Sequence, residues 1–382
     1  MQQLKWIGTA SLAFLATCAA ATRCGAQMTA VDDQTAEYLM QLFSDSGHVS
    51  VRSAIGNYTL PLPHDRALSL HWNNERVVVP AIKAAPGTQE AVDAITTASR
   101  PISGNAFSDY VKVRNEIEGG LKQGRAAVEY YLSSEADYLA QQLGGSYNRD
   151  IGGDQLNLSV GTSYGWDRID PLPDDKNNGV PVSRKNTLHW NAVATQILSP
   201  TLLLRYGVEY NIVEGLQHNP YRDVFAGGSR VPERHPDHRQ RRDAFVRLNQ
   251  YLSNRASLKF SYRFYNDDWG IDSHELGSKL SQSIAHGVFA SYEYRYYTQT
   301  PARFWRADYT SLNGVDGYLT GDYRMGPLSS HLFGAALDVG LDGLAAEHPT
   351  IGHFGFRCEY ERYFNSNNYS ANILTTQVTY AF

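Results

Sequence analysis

Past residue 26 the chain has no run of 18 apolar residues, so no segment is built to cross a bilayer as a helix. Cysteine is nearly missing, with three in 382 residues at positions 18, 24 and 358, which excludes a small disulfide scaffold. Positive charge is not in excess either. The 34 Lys and Arg face 39 Asp and Glu, and nothing in that balance invites a nucleic acid partner. Charged residues make up 19% and the mean hydropathy is −0.41, values that would suit a water-soluble protein. They do not exclude a membrane, because a barrel strand crosses with only about 9–11 alternating residues.

Tyrosine is plentiful. The 25 Tyr outnumber the 14 Phe, so much of the aromatic surface is apolar at the ring and polar at the tip. The N-terminus, MQQLKWIGTASLAFLATCAAATRCGAQ, has one early Lys, an apolar stretch from Trp6 to Thr17 and small residues after it. That is a secretory signal peptide, too short and wrongly flanked for an anchor. Cleavage after Ala26 or Ala21 fits. A lipoprotein reading at Cys18 is weakened by Thr17 just before it. Cleavage after Ala26 leaves Cys358 as the single cysteine of an oxidising compartment, and removes Lys5 and Arg23 from the basic side.

The mature chain alternates. In RASLKFSYRFYNDDWG (255–270), Leu258, Phe260, Tyr262 and Phe264 interleave with Lys259, Ser261, Arg263 and Tyr265. Leu202, Leu204, Tyr206, Val208, Tyr210 and Ile212 likewise interleave with Arg205, Glu209 and Asn211, and Val288, Ala290, Tyr292, Tyr294 and Tyr296 with Glu293 and Arg295. Period-2 patterning of this length predicts half-buried strands. Short turns fall at 152–153, 198–201, 253–255 and 285–287. Long polar connections fall near 80–105, 168–185 and 214–241. Alternation of short and long connections is the outer-membrane barrel pattern.

Both ends of such a chain lie in the periplasm, which requires an even number of strands. Sixteen segments meet the pattern: 36–44, 48–59, 66–79, 106–119, 124–134, 138–149, 154–167, 186–198, 201–213, 242–252, 256–266, 270–283, 287–299, 328–340, 351–364 and 369–382. The count makes 300–327 a fourth outer loop, although GYLTGDYRM within it looks strand-like. The expected organisation is a signal peptide over 1–26 and one all-β transmembrane antiparallel up-and-down barrel over 27–382. The last segment, YSANILTTQVTYAF, puts Leu374, Thr376, Val378, Tyr380 and Phe382 on one face and ends on an aromatic, as strands presented to the barrel-assembly machinery do.

Several longer runs carry a resemblance. VVVPAIKAAPGTQEAVDAITTASRPISG (77–104), LQHNPYR (216–222), VPERHPDHRQRRDAFVRLNQYL (231–252), YNDDWGIDSH (265–274), YRYYTQT (294–300) and YERYFNSNNYSAN (360–372) resemble the outer-membrane barrel family filed as domain of unknown function thirty-five seventy. The resemblance covers nearly the whole mature chain. It implies a single barrel in a Gram-negative-type outer membrane, and it offers no catalytic residue to carry over.

Charged positions opposite the apolar faces are the main candidates. Lys112, Arg114, Glu116, Glu118, Glu129, Arg205, Glu209, Arg247, Lys259, Arg263, Glu293, Arg295, Arg357, Glu359 and Glu361 are expected to face the lumen. A Lys or Arg on the lipid face near mid-membrane costs roughly 2–4 kcal/mol. Both signs are present, which suits either a transversely polarised pore or a ladder of ion pairs.

Other constellations read more simply as structure. In GSRVPERHPDHRQRRD (228–243), His235 and His238 with His218 have zinc-like spacing, but Pro232 and Pro236 argue against the helix that would join them. The expectation there is a solvated loop whose arginines pair with carboxylates and lipopolysaccharide phosphates. In NDDWGIDSHE (266–275) the acids lack the EF-hand spacing, and Trp269 is expected at the lipid–water boundary. GTSYG (161–165) matches the nucleophile-elbow pattern but lies inside a strand pattern, and HELGS (274–278) lacks the second His of a zincin helix. No catalytic residue, cofactor or metal is expected. The leading functional expectation is a pore for small polar solutes, narrowed by folded-in loops. The alternative is a closed barrel scaffolding a periplasmic or surface partner. Expected partners are outer-membrane lipid and lipopolysaccharide, with association of barrels left open.

Overall fold

Alternating strands that each bury one face need no second layer if the sheet closes on itself, and this sheet closes. The structure, a computed structural model, describes residues 34–79, 110–153, 155–173, 179–309, 317–344 and 349–382. The signal-peptide reading, Cys18, Cys24 and the loop near 80–105 lie outside the described residues.

The strands are β1 (Thr35–Asp45), β2 (Ser50–Leu62), β3 (Arg66–Val79), β4 (Tyr110–Gln123), β5 (Ala126–Ser134), β6 (Tyr138–Ile151), β7 (Leu156–Ile169), β8 (Ser183–Ser199) and β9 (Leu202–Gly215). After a small hairpin, β10 (Asp223–Ala226) and β11 (Ser229–Pro232), come β12 (His238–Leu252), β13 (Ala256–Asp267), β14 (Asp272–Ala285), β15 (Val288–Gln299), β16 (Leu328–Gly340), β17 (Phe354–Asn365) and β18 (Ser370–Ala381). All but β10 and β11 form one closed barrel in which sequence neighbours pair antiparallel. The sheet shuts where β1 meets β18, with Tyr38 opposite Val378 and Phe43 opposite Ile373. The fold is a sixteen-stranded transmembrane antiparallel barrel of the outer-membrane type, and closure leaves no edge unpaired.

Each predicted segment overlaps one strand of the barrel. The ends differ by a few residues: the segment expected at 106–119 runs from Tyr110 to Gln123, and the one expected at 242–252 starts at His238. The piece GYLTGDYRM does not cross. Its Leu319 makes an isolated bridge to Arg234, and Tyr323–Met325 form a 3-10 turn.

Burial is inverted relative to a soluble sheet. Large apolar side chains are open, with Tyr292 at 61% exposure and Val208 at 56%, while Lys112 and Glu116 on the alternate face stand at 8% and 6%. Phe260 and Phe264 are exposed and Arg263 is half-buried. An apolar band of this kind needs hydrocarbon around it. Aromatics gather toward both strand ends. Phe364 stacks on His331 at 5.2 Å near the end with the long loops, and Tyr380 packs on Phe354 and Phe382 at 4.8 Å near the other. Such girdles suit rings that are half apolar and half polar at the two interfaces.

Candidate functional site

The fifteen charged candidates occupy β4, β5, β9, β12, β13, β15 and β17, each at a position alternating with the exposed apolar residues of its own strand. They do not behave alike. On β4, Lys112 pairs with Glu135 at 3.2 Å, and Arg114 lies 3.1 Å from Glu75 and 3.2 Å from Glu116. Glu116 also accepts hydrogen bonds from Asn73 and Tyr131, both at 2.8 Å. On β13, Arg263 reaches Asp243 at 2.8 Å and Glu209 at 3.6 Å. On β17, Arg357 bonds Asp338 at 2.6 Å and lies 3.0 Å from Glu359. Lys279 of β14 joins Glu293 at 3.2 Å and Glu359 at 3.7 Å. The register explains why sequence reading missed Glu75, Asp243, Lys279 and Asp338. They matter as partners across strands, and pairing is invisible before the register is known.

Four of the candidates stand apart. Among the described residues, no carboxylate lies within ion-pair distance of Arg205, Arg247, Lys259 or Arg295.

Two loops at one end form a second centre. The hairpin β10–β11, within 216–237, packs its Val224 and Ala226 on Tyr309 and Leu319 of the loop 300–327. Beneath that cluster, Glu233 is fully buried and holds Arg222 at 3.1 Å, the Thr320 hydroxyl at 2.6 Å and the Gly321 amide at 2.9 Å. Arg222 also lies 3.4 Å from Asp322, which in turn takes the Arg324 Nε at 2.7 Å. Burial would push the Glu233 carboxyl up, but Arg222 and His235 outweigh it and hold it down at about 2. Asp322 is likewise held below the usual carboxylate range against its own burial, by Arg324 and Arg222. Burial and the neighbouring His235 push His218 down.

These loops reach the far parts of the wall. The Tyr221 hydroxyl donates to Asp137 in the β5–β6 turn. Tyr323 packs with Tyr363 on a buried cluster of Phe43, Tyr369, Ala371 and Ile373, residues of β1, β18 and the turn before it. Phe43 and Ile373 alternate with the exposed Tyr38 and Leu374, so the loop lies against the polar side of the wall.

Arg230, Arg234 and Arg242 are exposed, as expected of a solvated arginine loop, but Arg239 is not: it is buried on Asp267 at 2.9 Å, and Glu233 of the same segment turns inward to Arg222. Trp269 is buried rather than at a lipid boundary. Its indole donates to the His238 carbonyl at 2.9 Å, and the Arg239 guanidinium sits 4.1 Å from its ring. His235 faces Glu233 at 3.2 Å, whereas His238 lies near Glu214 and Asp268, so the two histidines have different neighbours. Among the described residues, no three His, Cys, Asp or Glu side chains converge as metal ligands do. Ser163 sits mid-strand in β7 and is buried, without the strand-to-helix turn a nucleophile needs.

A family model described as Protein of unknown function (DUF3570) matches residues 4–360. The chain belongs to that family. No curated protein matches it in sequence. Among solved structures, the DUF3570 chain is similar to the outer membrane protein opdK from Pseudomonas aeruginosa, at 7% identity and a TM-score of 0.44 over 93% of this chain and 100% of that one. It is similar to OmpT of Vibrio cholerae lacking loop L8, at 12% identity and 0.42 over 92% and 98%. It is also similar to OccAB4 of Acinetobacter baumannii, at 9% and 0.37 over 92% and 97%.

Proposed function

We propose that this DUF3570 barrel is an outer-membrane pore for small polar solutes, with its charged face lining a water-filled passage that the two packed loops narrow. The observation that carries the reading is a pair of long-reach ion pairs on one face. Lys279 of β14 meets Glu359 of β17 over two intervening strands, and Arg263 of β13 meets Glu209 of β9 over one. Strands lie about 4.8 Å apart, so side chains bridge that far only on the concave side of a curved sheet. Arg247 and Lys259 on the same face remain exposed, which requires water within reach. Barrels of this strand number have room for an aqueous channel.

The charges are also unevenly spread. Glu75, Glu116, Glu118, Glu129 and Glu135 cluster around Lys112 and Arg114 on the β3–β5 side. Arg205, Arg239, Arg241, Arg247, Lys259 and Arg263 gather on β9, β12 and β13 with Glu209, Asp243 and Asp267. Around the ring, six strands separate β4 from β13 one way and eight the other, so the two walls face each other. A polar solute crossing between them would be oriented by the field. The long loops at the outer mouth would meet lipopolysaccharide, and the strand ending near Phe382 would meet the assembly machinery.

Planar-bilayer recording of the purified barrel tests the proposal. Discrete conductance steps that scale with salt are expected. A bilayer that stays silent, with the barrel shown to be inserted, would replace the pore by a closed scaffold.

A further inference from the structure

The inner wall proposed above contains cations that the ion-pair ladders leave out. Arg205 of β9 stands directly opposite Arg247 of β12, and Lys259 of β13 directly opposite Lys279 of β14. Arg247 pairs with Ser261, which places Lys259 one diagonal step away on the same face. Directly opposed side chains on one face have Cβ atoms about 4.5–5.5 Å apart, diagonal neighbours about 7–8 Å, and like charges at such spacing destabilise a sheet. Four adjacent strands thus carry neighbouring cationic side chains, and those on β9, β12 and β13 lie outside the ion-pair ladders.

The acids nearby are committed elsewhere. Lys279 is neutralised by Glu293 and Glu359. Glu209 and Asp243, opposite one another one step beyond Gly207 and Phe245, share Arg263. Arg205, Arg247 and Lys259 have no carboxylate within 4.0 Å among the described residues, and the Arg205 Nε is enclosed without a hydrogen-bond acceptor. Glu209 acts on Arg205 and Arg247 only through space.

Local packing fixes the geometry. The guanidinium of Arg247 lies 5.1 Å from the ring of Phe245 in its own strand. That ring fits because Gly207 opposes it: a Cβ there would come within 2.9 Å of the ring and 2.8 Å of the Ala192 carbonyl. Two guanidinium forks and one ammonium, facing the same space with unused donors, match the oxygens of a carboxylate or phosphate.

We infer that Arg205, Arg247 and Lys259 form an oxyanion-binding station on the pore wall, and that the solutes this barrel takes up are small anions carrying carboxylate or phosphate groups. The inference rests on the pore reading for access, but the three cations with no carboxylate within 4.0 Å among the described residues are an independent observation.

Two measurements on detergent-purified full chain separate the outcomes. Calorimetric titration with inorganic phosphate and, separately, with acetate reads the station whether or not the barrel conducts. Loss of one charge-assisted contact should weaken binding roughly tenfold, so Arg247→Gln and Arg205→Gln should each show that loss while Arg295→Gln should not. Binding of phosphate alone or acetate alone names the class of anion. Absence of both, or binding unchanged in the two Arg variants, overturns the station. In bilayers, reversal potentials under a potassium chloride gradient should shift toward cation selectivity in both variants. An unshifted potential in a conducting barrel refutes the station while leaving the pore intact, and a silent barrel refutes the pore while the titration still decides the station. Thermal unfolding adds a control. A structural role for these cations predicts a lower midpoint on neutralisation, whereas relief of opposed like charges predicts an equal or higher one.

Discussion

At the scale of single residues, the alternation decides which face each side chain takes, and most of it is readable without a structure. Phe260 is 49% exposed beside Lys259 on the opposite face. Phe260→Arg would move a full charge into hydrocarbon and should cost about 2–4 kcal/mol, measured by denaturant unfolding from lipid vesicles. Lys259→Ala in the same assay should cost far less. Gly207→Ala should push the Phe245 ring aside, because the new Cβ has no free space between the ring and the Ala192 carbonyl. Expected consequences are a lower unfolding midpoint and weaker anion binding without removal of any charge. Trp269 was not legible at this scale. Its neighbours in sequence suggest an interface aromatic, but its partners Arg239, His235 and Phe304 come from two other segments.

At the scale of elements, the strands follow from period and parity, whereas the loops do not. Nothing local in GSRVPE marks a hairpin seated on a second loop. The hairpin forms because Val224, Ala226 and Val231 find Tyr309 and Leu319, a contact between segments far apart in the chain. The buried pair Arg222–Glu233 locks them together. Removing one member of a buried pair commonly costs about 3–5 kcal/mol. Glu233→Gln should therefore free the loops, seen as faster protease cleavage within 216–237 and larger or noisier conductance. Acid should act in the same direction. A carboxylate held below its unfolded value adds stability above that value, near 4.3 for Glu, and loses it as pH falls toward the folded one. With Glu233 at about 2, loop packing should be intact at neutral pH and loosen between about pH 4 and pH 2. Gating frequency recorded across that window checks the sign.

At the scale of the whole molecule, strand number and direction come from the requirement that every backbone group in a bilayer be paired, and that much was written in the turns. The distribution of charge was only half legible. Positions on the polar face could be listed, but the ring order that sets an acidic wall against a basic one requires the closed sheet. Replacing Glu116 and Glu118 by Gln on the acidic wall should raise anion preference, and Arg247→Gln should lower it. Opposite shifts in reversal potential are the expected result. Equal shifts would show that the walls do not act as a pair.

The cluster of Phe43, Tyr369, Ala371 and Ile373 that receives Tyr323 lies at the seam between the first and last strands. Its floor does not exist until the chain is complete and the ends have met. The internal loop therefore has nowhere to dock during earlier stages of assembly, and its docking becomes a built-in sign that the circle has shut. A chain lacking residues 370–382 should keep the sequence of that loop intact yet leave it cleavable, whereas restoring the missing strand as a separate peptide should protect it again.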